Sequence, residues 1–100
     1  NLSGNVNYNL YCFNITCEES KEKDIIKIIK QIANNYKSEI INIKNEEIDD
    51  NLVKLEIKIK NDNKKNDLTN EIMQQLTGRK DVISISLDKK DNKILFEEEI

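Results

Sequence analysis

Four carboxylates fall within five residues, Glu46, Glu47, Asp49 and Asp50, and are the densest set of candidate oxygen ligands in the chain. A hard divalent cation takes six or more oxygens from such a cluster. The segment Glu46-Glu47-Ile48-Asp49-Asp50-Asn51 lacks the glycine turn and regular ligand spacing of a calcium loop. It reads more simply as a solvated acidic turn, and the expected metal ligand set is none. The run Glu97-Glu98-Glu99 is read the same way, as an acidic terminus. Cys12 and Cys17 are the candidate nucleophiles. The chain has no histidine, so the commonest general base and the commonest metal ligand are both missing. A thiol with no base or cation beside it is a poor nucleophile, and no catalytic residue is assigned. Lys54, Lys58 and Lys60 line one face of a strand pattern and would offer an anion platform. Glu56 interrupts them and no outward aromatic is interleaved. That argues against the base-stacking sheets that read RNA and favours a solvated face.

Composition narrows the classes further. A hundred residues suit one domain, and the expected division is a linker remnant over 1–7 and a domain over 8–100. The charged fraction is 35%, but the signs nearly cancel at a formal −3, which argues against a nucleic-acid footprint. There is no apolar run of the roughly 20 residues that a membrane span requires. A chain that begins at Asn1 rather than methionine reads as part of a longer protein, with a membrane segment expected upstream. An odd separation on a strand puts Cys12 and Cys17 on opposite faces, so they are not expected to bridge. Two thiols kept reduced suit a cytoplasmic setting.

The elements follow from hydrophobic periodicity. Tyr11, Phe13, Ile15 and Cys17 alternate with Leu10, Cys12, Asn14 and Thr16, a half-buried strand with Cys12 partly exposed on the open face. Ser20 is the expected N-cap of a helix carrying Ile25, Ile28, Ile29, Ile32 and Tyr36 at helical spacing, widened by Ile26 and Ala33. Asn34-Asn35 marks its end. A second strand near Ile40–Asn45 places Ile41 and Ile43 together. The acidic turn then leads to Val53, Leu55, Ile57 and Ile59, which alternate strictly with Lys54, Glu56, Lys58 and Lys60. After a polar loop over Asn61–Asn66, Asn66 or Asp67 caps a helix with Leu68, Ile72 and Leu76 on its buried stripe and Gly78 as its stop. A fourth strand is expected to turn Ile83, Ile85 and Leu87 inward and Val82, Ser84 and Ser86 outward. Ile94, Leu95 and Phe96 fit a short fifth edge strand. The order β-α-β-β-α-β specifies an α+β, ferredoxin-like fold: a four-stranded antiparallel sheet with two helices on one face.

These segments resemble the cytosolic C-terminal domain of MgtC/SapB proteins. Tyr11-Cys12-Phe13-Asn14-Ile15-Thr16-Cys17-Glu18-Glu19 looks like that family's opening strand, where an aromatic begins, a cysteine closes and acidic residues follow. Ile40–Asp50 and Leu52–Ile59 are similar to its central hairpin, and Leu76–Ser86 to its helix, turn and Val-x-x-(Ile/Val)-Ser ending. The resemblance spans residues 8–88. Family members often end the last strand in Ser-Trp, where this chain has Ser86-Leu87, and the tail beyond Asp88 has no counterpart. The resemblance implies an ACT-like fold on the cytoplasmic side of a multi-helix bacterial inner-membrane protein associated with magnesium limitation. The implied role is regulatory or protein-interacting rather than enzymatic, with no cofactor and with the parent membrane domain as a partner in cis. The family's intramembrane acidic residues lie outside this chain. The alternative is an amino-acid-sensing ACT domain of a metabolic or stringent-response enzyme. Such domains commonly carry a glycine between the first strand and first helix, where this chain has Glu18-Glu19-Ser20-Lys21. A third reading makes Glu46, Glu47, Asp49 and Asp50 a divalent-ion sensor. Homodimerisation is expected through the open sheet face, with Leu10, Cys12 and Val82 as its apolar members, or through strand edges and helices.

Overall fold

A computed structural model of the protein describes residues 8–61 and 67–90. Apolar residues at every second position, Tyr11, Phe13, Ile15 and Cys17 on one strand and Val53, Leu55, Ile57 and Ile59 on the other, let β1 (Asn9–Glu18) and β3 (Leu52–Asn61) pair side by side at the centre of the sheet. Phe13 lies opposite Ile57 and Ile15 opposite Leu55, so the apolar halves of both strands share one face. β2 (Glu39–Asp49) flanks β3 and β4 (Val82–Lys90) flanks β1, giving the antiparallel order β2-β3-β1-β4.

The helices cover the apolar face. α1 (Glu22–Asn35) buries Ile25, Ile29, Ile32 and Ala33, and α2 (Asp67–Leu76) buries Leu68, Thr69, Ile72 and Leu76. Because β-branched residues are weak helix formers, α1 is held by this packing rather than by its own propensity. Phe13, Ile15, Leu55, Ile57 and Ile59 are wholly buried beneath the helices. This is the βαββαβ architecture expected from the sequence.

Several local expectations are corrected. Ser20 does not cap α1: it lies in a 3-10 turn over Glu19–Lys21, and Lys21 precedes the helix without a side-chain cap. α1 ends in a Schellman arrangement. Ser38 N–H donates to the Ala33 carbonyl at 2.8 Å and Lys37 N–H to that of Asn34 at 3.1 Å. Lys37 takes the left-handed position at φ 54° that glycine usually fills. α2 stops as expected at Gly78, φ 89°, where a Cβ would meet nothing within 4 Å, so backbone conformation alone calls for glycine. β2 runs on to Asp49, so Glu46 and Glu47 are strand residues and the reversal is confined to Asp50 and Asn51. Asn61 closes β3 and is buried, with its Nδ2 donating to Ser38 Oγ.

The largest departure is a set of three bulges on the edge strands. Register slips skip Ile41 and Ile48 on β2 and Ile83 on β4. These are the exposed large hydrophobic residues of the described chain, at 44%, 47% and 58%. Each bulge shifts side-chain parity by one. Ile40 therefore joins Ile43 against the core in place of Ile41, and Val82 joins Ile85 and Leu87 in place of Ile83. The expected linker over 1–7, the cap Asn66 and the strand at Ile94–Phe96 lie outside the described residues.

Candidate interaction surfaces

The four candidate metal ligands are dispersed by the strand that carries them. Glu46 lies opposite Lys54 on the open face of the sheet, while Glu47 lies opposite Val53 on the helix-covered face. Asp49 Oδ1 accepts the Asp50 N–H at 2.7 Å and shapes the turn. All four are exposed. Among the described residues no group of three or more His, Cys, Asp or Glu side chains is placed to hold a metal ion.

The acidic residues that do come together are drawn from three elements. Glu47 reaches Glu19 in the 3-10 turn, and the hydrogen bond and negative charge of Glu47 hold the Glu19 carboxyl above its ordinary range. Desolvation and the charge of Glu22 push the same way. Asn45, two residues back on the same face, donates to Glu22 Oε2 at 2.6 Å. Sequence reading found Glu47 but missed Glu19, Glu22 and Asn45, because only the β2–β3 pairing brings the strand beside the start of α1.

The turn from β1 to α1 is fastened at both ends. Glu18 N–H donates to the Asp81 carbonyl at 3.0 Å and Glu19 N–H to that of Asn51 at 2.8 Å. Asp81 is itself held by Arg79 through two hydrogen bonds, at 2.9 and 2.8 Å. That bidentate pairing keeps the Asp81 carboxyl below its usual value. The i, i+2 spacing of Arg79 and Asp81 just after Gly78 was a legible signal for this staple.

The thiols are sequestered. Cys17 is fully buried in the core, and burial first, then the negative charges of Glu22, Asp81 and Glu18, push it up to about 11. Cys12 lies on the open face between Lys58 and Asp88, yet it is only 3% exposed, against the partial exposure expected. Leu10 is half-buried nearby, whereas Val82 turns to the core. The expected open-face trio is thus split across the sheet. The remainder of that face is polar: Lys54, Glu56, Lys58 and Lys60 on β3, and Ser84 and Ser86 opposite Thr16 and Asn14. Lys60 Nζ stands 4.7 Å from the Tyr8 ring centroid, and Lys44 reaches Glu56 at 3.9 Å.

The sequence of this chain finds no match among characterised proteins. Its fold is similar to the solution structure of the C-terminal domain of the MgtC protein from Mycobacterium tuberculosis. The TM-score is 0.76 at 11% identity, covering 91% of this chain and 96% of that one. It is similar also to the de novo designed protein Foldit4, with a TM-score of 0.73 at 15% identity over 86% of this chain and 99% of that one. The ACT domain from GTP pyrophosphokinase of Chlorobium tepidum aligns with a TM-score of 0.57 at 16% identity, over 82% of this chain and 100% of that one. The family model for the MGTC/SAPB C-terminal domain matches residues 11–86, from the first buried aromatic of β1 into β4. With that match covering most of its length, the chain belongs to the MgtC/SapB C-terminal domain family.

Proposed function

We propose that this chain is a non-enzymatic regulatory or protein-interaction domain, the cytosolic end of an MgtC-like bacterial inner-membrane protein associated with magnesium limitation. The family match over residues 11–86 carries this reading. No described helix is long and apolar enough to cross a membrane. Under this reading the anchor is the parent's membrane part, which acts as a partner in cis. The sequestered thiols and the scattered hairpin carboxylates are consistent with a domain that works by contact rather than by chemistry.

Amino-acid sensing, the second reading, is disfavoured by the β1–α1 turn. Its Glu18 and Glu19 N–H groups are committed to the Asp81 and Asn51 carbonyls. A ligand carboxylate arriving there would also meet the side chains of Glu18 and Glu19 and, beyond them, Glu22 and Glu47.

The test is a thermal-unfolding panel against the common amino acids, Mg²⁺ and Ca²⁺. A ligand at a hundred times its dissociation constant stabilises by about 2.7 kcal/mol. In a domain of this size that raises Tm by on the order of 10 °C. Silence across the panel is the expected result. A rise with one amino acid would overturn the proposal in favour of a sensor. A rise with Mg²⁺ that is lost on substituting Glu46, Glu47, Asp49 and Asp50 would favour an ion sensor.

A further inference from the structure

Charge is divided along the strand axis. At one end lie three connections, from β1 to α1, from β2 to β3 and from α2 to β4. There Glu18, Glu19, Glu47, Asp49, Asp50 and Asp81 outnumber Lys21, Arg79 and Lys80. At the other end β1 and β2 begin and β3 and β4 finish, with Leu10 opposite both Lys60 and Lys90 and Glu39 opposite Lys60. Lys58, Lys60, Lys89 and Lys90 lie in the last turns of those strands, and Lys37 in the connection from α1 to β2. The carboxylates set against them are Glu39, Asp67 and Asp88. This surplus is confined to the end: across the middle of the open face Lys44 lies opposite Glu56 and Lys54 opposite Glu46.

Two further features belong to the lysine end. Tyr8 and Leu10 are half-buried there, and Lys60 Nζ stands 4.7 Å from the Tyr8 ring centroid. Tyrosine and lysine together suit the depth of lipid headgroups, where an aromatic body and an extended cation both find their solvent. β1 also begins at this end, so residues that precede it join the domain here. The matching family is a C-terminal domain, and in the reading proposed above the membrane part comes before it.

The formal charge of −3 does not cancel the local field. Strands of ten residues, at about 3.3 Å per residue, hold the acidic end about 30 Å away. That is about three Debye lengths at 0.1 M salt. A surface touching the lysine end therefore meets the lysines and is screened from the acidic corner.

We propose that the end carrying Tyr8, Lys37, Lys58, Lys60 and Lys89 rests on anionic lipid headgroups of the bilayer that holds the parent protein. The contact stands the domain upright, with the corner of Glu19 and Glu47 turned away from the bilayer. This names a surface for the interaction-domain reading and rests on that reading. Each lysine close to an anionic leaflet contributes about fivefold in partitioning.

The test uses the full chain, held by an N-terminal oligohistidine on vesicles that carry nickel-chelating lipid and an acceptor dye on the headgroups. Ser20→Cys and Asn35→Cys, both at exposed positions, take a donor dye at the acidic and the lysine end, while the native thiols are buried. Adding phosphatidylglycerol to phosphatidylcholine vesicles should raise energy transfer from position 35 and lower it from position 20. The difference should vanish near 1 M salt, where the Debye length falls to about 3 Å. Lys58→Glu with Lys60→Glu should abolish it. Lys37→Glu with Lys89→Glu should do the same and keeps the test decisive where the β3 pair fails to fold. Equal transfer on the neutral and anionic vesicles would overturn the proposal, as would a difference that survives both double reversals. Loss of the difference on adding inorganic phosphate at constant ionic strength would also overturn it, in favour of a discrete phosphate site. Failure here leaves the ligand panel silent and the broader reading intact, whereas an amino-acid-induced rise in Tm removes that reading without altering the vesicle result.

Discussion

Glu19 and Glu47 are hydrogen-bonded to one another across the corner between the 3-10 turn and β2, two carboxyl groups sharing one site. The Glu19 carboxyl is raised, so between the ordinary glutamate value and the raised one the folded chain binds more proton there than the unfolded chain does. Stability from this group is therefore present at acid pH and is lost as pH rises from the ordinary glutamate range through the raised value. Glu19→Gln should flatten that decline, leaving Tm higher than wild type near pH 7. Thermal unfolding between pH 3.5 and 7 in low salt checks it, and equal slopes for both proteins would contradict the pairing.

Asp81 works in the opposite sense. Arg79 holds its carboxyl down, so this contribution is present above the ordinary aspartate range and is lost as pH falls through the depressed value. Arg79→Lys keeps the charge but loses the two-pronged geometry. It should lower Tm at pH 7 and leave the protein less sensitive to acid than wild type. Because Asp81 also receives the Glu18 N–H through its backbone, the variant should increase amide exchange at Glu18.

Lys37 occupies a left-handed position that costs a side-chain-bearing residue about 1–2 kcal/mol. Glycine there gives back about 0.4–1 kcal/mol through the added freedom of the unfolded chain. Lys37→Gly should thus stabilise by about 0.5–1 kcal/mol, read as a higher urea midpoint at unchanged slope. A loss of stability would mean that the Schellman ending of α1 does not need the αL residue.

The bulge on β4 makes two isoleucines unequal that a plain alternating strand would treat alike. Ile83→Ala should change stability by no more than about 0.5 kcal/mol, as expected of an exposed residue. Ile85→Ala removes a side chain packed on the core and should cost about 2 kcal/mol or more. Similar losses from both would restore the unbulged register.

Cys17, with its thiol pushed up to about 11, should have only ~10⁻⁴ of its population as thiolate at pH 7. Together with the burial of Cys12, this predicts that neither thiol reacts with an aromatic disulfide reagent in the native state, and that both react at once in denaturant. Rapid native labelling would contradict the burial of the open-face cysteine.

The sequence by itself determined the architecture. Alternation along Tyr11–Cys17 and Val53–Ile59, and the isoleucine stripe of Ile25, Ile29 and Ile32, each reflect one face turned to the core. Periodicity records that directly. It also specified the stop at Gly78, since few other residues accept that φ. Tertiary structure decided what depends on pairing between distant segments. The bulges at Ile41, Ile48 and Ile83 are mismatches in length between partner strands, which no single strand carries in its own pattern. They decided that Ile40 and Val82, not Ile41 and Ile83, pack inward. The meeting of Glu19 with Glu47, and of Asn45 with Glu22, likewise required β2 to lie beside the start of α1. Charge clusters read along the chain, such as Glu46 to Asp50, were pulled apart by the strand's two-residue period, and the acidic corner that formed instead was built from residues far apart in sequence.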